Sequence, residues 1–138
     1  MTTRRAFADL SVGQVHYAEC GKREAPAVLL LHQSPRSYAE YRAVLPLIGA
    51  ERRAIAMDTA GFGDSAAGDL PASIEQWAHV ACELLESLSL RQVDVVGHHT
   101  GGVIALEPDR GAGFMNFAPR VMMHKQDVAG TGLIQPAS

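Results

Sequence analysis

The chain reads as an α/β fold with a mostly parallel sheet and flanking helices. Three observations predict it. Short apolar runs of strand length alternate with two longer stretches of helical period. Each helical stretch opens on a capping-box pattern. Glycine-rich turns follow the apolar runs where a parallel strand would hand over to its crossover.

Residues 12–19 (VGQVHYAE) alternate polar and apolar, the mark of a half-buried strand. After the turn-like GKREAP, residues 27–31 (AVLLL) form a continuous apolar run, as in a strand covered on both faces. Ser37-Tyr38-Ala39-Glu40 is a capping box, with the serine accepting from an early helix N–H and the glutamate reaching back. Tyr41, Val44, Leu45 and Ile48 make the apolar stripe that follows, and Pro46 predicts a kink or early stop. Residues 53–57 (RAIAM) are the next strand. Ser73-Ile74-Glu75-Gln76 opens a second helix whose stripe is Ile74, Trp77, Ala78, Ala81, Leu84, Leu85 and Leu88. Glu75, His79, Glu83 and Glu86 fall off the stripe and are expected in solvent. Residues 93–96 (VDVV) are a further strand, and a third helix begins near Thr100.

Composition narrows the function. With 138 residues, 47% of them hydrophobic and 20% charged, the chain has the profile of a globular protein rather than a disordered one. A net charge of −3 argues against nucleic acid or an anionic membrane as partner. No apolar run approaches the ~20 residues of a membrane span, and the N-terminus lacks the apolar stretch of a secretory signal. Cys20 and Cys82, far apart, read as free thiols in a cytoplasmic setting.

The regular pattern fails at Pro108. Residues 108–138 show no period and no repeat, and read as an irregular tail, the product of truncation or a shifted reading frame after about Leu106.

Gly97-His98-His99-Thr100-Gly101 follows the strand VDVV and precedes a helix, the spacing of a nucleophile elbow. Small residues are needed at both ends because the strand-to-helix turn is too sharp for a Cβ there. The central residue is then presented at the helix start, where N–H groups favour developing negative charge. On the pentapeptide alone, an ordinary glycine-rich turn fits equally well.

Two further signatures separate the readings. Leu31-His32-Gln33-Ser34-Pro35 follows the buried strand, and Asp58-Thr59-Ala60-Gly61-Phe62-Gly63-Asp64-Ser65 follows the next one. With the elbow, these motifs resemble the α/β-hydrolase family over about residues 12–106. The resemblance implies a partial α/β-hydrolase fold over residues 1–107, with the tail 108–138 beyond it. It puts His99 in the nucleophile position and the backbone N–H groups of Ser34 and Thr100 in the oxyanion hole. It makes Gln33 and His98 substrate-adjacent, and residues 58–65 a structural turn beneath the site. It implies hydrolysis of a small organic substrate, at an ester, amide, epoxide, C–C or C–halogen bond, with no cofactor and no metal.

There are departures. The family's nucleophile is usually serine, aspartate or cysteine, and Gln33 replaces the usual glycine. The family draws its acid and its histidine from later strands. Asp127 and His124 are the later candidates here, in reverse order, so the isolated chain is expected to be inactive. The alternative is a member of the fold that binds a small ligand or partner without catalysis; a third reading makes His99 a base. The strand VDVV is expected at an exposed sheet edge through which copies could associate.

The remaining candidates read as structural. Gly61-x-Gly63-x-x-Ala66 imitates a dinucleotide fingerprint but lacks the helix that must follow. His98 and His99 are adjacent and point apart, with no cysteine or acid close in sequence to complete a metal site. His79 and Cys82 read as a solvated helix face, His16 as a surface residue, and Trp77 and Met57 as core.

Overall fold

The computed structural model describes residues 1–107. The five strands are β1 Arg4–Leu10, β2 Gly13–Cys20, β3 Ala27–Leu31, β4 Arg53–Met57 and β5 Val93–Gly97. The helices are α1 Leu45–Gly49, α2 Ile74–Ser87 and α3 Thr100–Leu106, with a 3-10 turn at Tyr38–Tyr41. The sheet order is β1-β2-β4-β3-β5. β1, β2 and β4 pair antiparallel, and β4, β3 and β5 pair parallel.

The strands with the least polar sequence lie in the middle. All five residues of β3 and all five of β4 are buried, as expected for strands covered on both faces. Successive side chains alternate between two cores. Leu29, Leu31, Ile55 and Met57 pack with Val80, Leu84, Leu85 and Ile104 on one face, under α2 and α3. Val28, Leu30, Ala54 and Ala56 pack with Ala18, Leu45 and Tyr38 on the other, under α1 and the 3-10 turn. Full burial of one leucine in such a core stabilises by about 1.5–3 kcal/mol. The sheet is therefore rigid where its parallel strands end, and the motif loops start there.

Helix α2 forms as its sequence dictates. The Ser73 hydroxyl accepts from Gln76 N–H at 3.1 Å, and Ala78, Ala81, Leu84 and Leu85 are buried with Val80. Cys20 is a buried free thiol and Cys82 a half-buried one. No helix among the described residues is long and apolar enough to cross a membrane.

Four details correct the sequence reading. β1 was not anticipated; its inward residues Ala6, Ala8 and Leu10 are only partly buried, and small alanines carry a weak strand signal. The stretch after Ser37 is a 3-10 turn followed by a separate helix, and Pro46 sits in the first turn of α1, where its missing N–H costs nothing. Glu83 does not face solvent freely, because its carboxylate accepts both the N–H and the hydroxyl of Ser11 and ties α2 to the β1–β2 turn. His16 is fully buried rather than on the surface. Among the described residues β5 pairs with β3 alone, and Val96 and Val103 beside that edge are exposed.

Candidate active site

Three loops leave the C-terminal ends of β3, β4 and β5 side by side, the place where open α/β sheets carry their sites.

The loop after β4 is organised around one buried carboxylate. Asp58 Oδ1 accepts Tyr38 N–H at 2.7 Å. Its Oδ2 accepts Asp64 N–H and the His16 Nδ1 proton, each at 2.9 Å. The Asp58 carbonyl takes the Ser65 hydroxyl at 2.7 Å, and Ser65 Oγ in turn takes His16 N–H at 2.9 Å. Gly63 has a positive φ of 52°, and a Cβ there would run into the Asp58 carboxylate. The glycines of this motif therefore let the chain wrap Asp58; no helix begins until Ile74, so the dinucleotide reading is excluded. His16, Asp58 and Asp64 have the spacing of metal ligands. Arg5 takes the cation's place: its Nε donates to His16 Nε2 at 2.9 Å and its guanidinium pairs with Asp64.

The loop after β3 is pinned by His32, which is 1% exposed. Its Nε2 accepts Thr59 N–H at 3.0 Å, so Nδ1 carries the proton, donated to the Gln33 carbonyl at 2.8 Å. The ring is thereby fixed as a neutral linker between the first two loops.

The loop after β5 has elbow geometry. His99 sits at φ 53° and ψ −113°, a left-handed conformation that a non-glycine residue adopts only under constraint. A Cβ on Gly97 would meet the backbone of Gly101, and one on Gly101 would meet the Leu31 carbonyl. His98 N–H donates to that same carbonyl at 3.0 Å, and the Tyr41 hydroxyl donates to it at 2.9 Å. Burial, then the charge of Glu40, pushes the Tyr41 phenol above its usual range, so it remains a donor. Gly101 N–H and Gly102 N–H return to the His98 and His99 carbonyls, which leaves Thr100 N–H ahead of the first helical turn.

The predicted residues come together. Ser34 N–H donates to Thr100 Oγ1 at 3.4 Å, across a separation of 66 residues. The exposed His99 ring lies against the same hydroxyl, Nδ1 to Oγ1 at 3.2 Å. The half-buried Gln33 donates its N–H to Glu40 Oε2 at 3.1 Å, and the exposed His98 ring pairs through Nδ1 with Glu40 Oε1. Glu40 is the residue the sequence reading missed. It does not reach back to Ser37, whose hydroxyl accepts instead from Ala39 N–H at 3.3 Å. An acid seven residues beyond Gln33 was the available signal, but the capping box accounted for it. His79 pairs with Glu83 at 2.8 Å on the helix surface, away from this site. His124 and Asp127 lie outside the described residues.

Comparison with known proteins gives a consistent answer. A haloalkane dehalogenase of Psychrobacter cryohalolentis is 37% identical over 110 residues, covering 72% of this chain and 35% of the relative. Epoxide hydrolase 4 of Mus musculus is 34% identical over 96 residues, covering 65% of this chain and 26% of the relative. Among solved structures, the haloalkane dehalogenase DbeA from Bradyrhizobium elkanii superposes with a TM-score of 0.74 at 25% identity, over 78% of this chain and 37% of that one. An N-acyl homoserine lactonase superposes at 0.72 with 29% identity, over 77% of this chain and 40% of that one. The chain thus spans about a third of the length of the proteins it matches. No family model matches it.

Proposed function

Since this chain is an N-terminal segment of the α/β-hydrolase fold family, we propose that it carries the attacking and oxyanion-binding side of a hydrolytic site for a small organic substrate. The single observation behind the reading is the convergence of the Ser34 and Thr100 segments beside His99, on a backbone turn that tolerates only glycine at 97 and 101. In this reading the Ser34 and Thr100 N–H groups receive the oxygen that gains charge, and Gln33 and His98 border the substrate. Residues 1–107 form the hydrolase part and 108–138 a distinct tail, and the setting is cytoplasmic.

The relatives' names point to epoxides and C–halogen bonds, and His99 refines the chemistry. An imidazole that attacked an alkyl carbon would be left as a stable N-alkyl adduct. One that attacked an ester carbonyl would form an acyl-imidazole that water can hydrolyse. His99 therefore acts as nucleophile on acyl substrates, or as the base for water on the others.

The test is turnover of p-nitrophenyl acetate, styrene oxide and 1-bromobutane by the full chain. In this reading Glu40 and His98 supply the acid and imidazole that the sequence leaves missing, so the expectation of an inactive chain is replaced: the expected result is release above buffer with at least one probe, lost in His99→Ala. The rival reading is a ligand-binding member of the fold. One contact favours it: the Ser34 N–H, an oxyanion donor in the first reading, already donates to Thr100 Oγ1 at 3.4 Å. No turnover, together with a ligand-induced rise in melting temperature, would establish that alternative. Association through the β5 edge belongs to the same proposal, with mass by light scattering as its check: a monomer at 100 μM on the order of typical assay concentrations rejects it.

A further inference from the structure

The sequence offers Asp127 and His124 as later acid and histidine candidates, in the wrong order. A carboxylate–imidazole pair is nevertheless assembled within the described residues, at the site itself. Glu40 comes from the 3-10 turn and His98 from the elbow, 58 residues apart. One Glu40 oxygen meets His98 Nδ1, and the other accepts Gln33 N–H at 3.1 Å. The Glu40 side chain is only 13% exposed, whereas His98 is 57% exposed. One half-buried carboxylate thus holds the elbow and the loop after β3 together while the imidazole stays open to solvent.

We infer that Glu40 is a positioning residue that fixes His98 with its proton on Nδ1, leaving the Nε2 lone pair as the proton acceptor of the site. The inference rests on the acyl-transfer arm of the hydrolytic reading above and names the base that activates water against the His99 adduct. A carboxylate can only accept, so Nδ1 must donate, and the lone pair is confined to Nε2. The carboxylate also stabilises the imidazolium that forms when Nε2 takes a proton, as the acid of a catalytic triad does. For an ester, the alcohol leaves the His99 adduct with the proton released from the His99 ring, and water then meets the acyl-imidazole. A water O–H proton passes to His98 Nε2 as the water oxygen bonds to the carbonyl carbon, and the carbonyl electron pair moves onto oxygen. On collapse the C–N bond to His99 breaks, and the His99 nitrogen takes the proton from His98 Nε2. Water is consumed, acid and alcohol are formed, and His98 returns to its starting state.

Glu40→Gln separates this from a purely structural staple. Its amide oxygen can still accept Gln33 N–H, so the loops stay joined. Its NH2 then faces Nδ1, which must become the acceptor, and the proton moves to Nε2. Ring-nitrogen shifts of His98 in the 15N-labelled full chain read this directly, beside kcat and KM for p-nitrophenyl acetate. The expected wild type shows protonated Nδ1 and bare Nε2. Glu40→Gln reverses this, and kcat drops about a hundredfold with KM within about twofold. A folded Glu40→Gln that keeps the wild-type tautomer overturns the inference, and so does a reversed tautomer with unchanged kcat. If Glu40→Gln does not fold, His98→Asn carries the rate test, and unchanged kcat there overturns it equally. A wild type with no turnover, whose tautomer still reverses in Glu40→Gln, upholds the positioning by Glu40 and sinks the hydrolytic reading alone.

Discussion

Replacing Asp58 by asparagine probes the hub on which the site rests. The side chain keeps its shape but loses one acceptor. Three donors converge on the carboxylate: Tyr38 N–H at 2.7 Å on Oδ1, and Asp64 N–H and His16 Nδ1–H at 2.9 Å on Oδ2. With the amide oxygen placed toward Asp64 and His16, the NH2 group opposes Tyr38 N–H in a site where Asp58 is 1% exposed. A buried donor without a partner costs about 1–3 kcal/mol, and hydrogen bonds to a neutral acceptor are about 1 kcal/mol weaker than those to a charged one. Together these give a loss of about 3 kcal/mol, or roughly 15 °C in melting temperature for a domain of this size. Urea unfolding followed by circular dichroism at pH 7 measures it, with Asp64→Asn as control. Asp64 is 55% exposed and its pair with Arg5 is a surface one, so the control stays within about 0.5 kcal/mol. A loss below about 1 kcal/mol for Asp58→Asn would falsify the claim that this carboxylate organises the loop.

Three further outcomes follow from the same packing. Burial pushes the Glu19 carboxyl up, but hydrogen bonds from Arg4 and Arg53 outweigh it and hold the group below the usual carboxylate range. Its stabilisation is therefore complete above the unfolded value and is lost as pH falls through the folded one; melting temperature should drop below about pH 4.5, and Arg53→Met should flatten that drop. Gly101→Ala should cost about 2–3 kcal/mol, because its Cβ meets main-chain atoms of Leu31 that cannot swing aside; a well-folded alanine variant with unchanged melting temperature would contradict it. Burial, then the charge of Glu86, raises the Cys82 thiol, so Cys82 should react with iodoacetamide at pH 8 more slowly than free cysteine does. Equal rates would count against this account.

The fold was legible in the sequence because its central strands are short, bounded and mostly apolar, and because the helix between β4 and β5 has a clean period. Residues 27–31 read as a strand covered on both faces and residues 53–57 as a further strand, and Ile74–Ser87 carries its stripe and its cap in the chain itself. β1 escaped because Ala6 and Ala8 alternate without bulk, and only the pairing with β2 gives them a role. Pro46 was ambiguous because proline both ends a helix and begins one, and only the position of the preceding turn decides between them. The candidate site was legible as motifs, which single out Ser34, His99 and Thr100, residues the fold brings together. It was not legible as a network. His16 looks like a surface residue until Arg5 and Asp58 are brought to its two nitrogens from 11 and 42 residues away. Glu40 looks like a cap until the elbow arrives beside it. Long-range partners of single polar residues leave no periodicity to read.

The main-chain character of the elbow frame has a consequence for how such a protein can change. Leu31 O, His98 N–H and the missing side chains at 97 and 101 fix the position of residue 99 without any contribution from its own side chain. The frame is therefore indifferent to which reagent it displays. Histidine, serine, aspartate or cysteine at position 99 would stand at the same point. A change of chemistry is then reachable in one substitution without passing through an unfolded intermediate sequence, whereas a change at position 97 or 101 is closed to it.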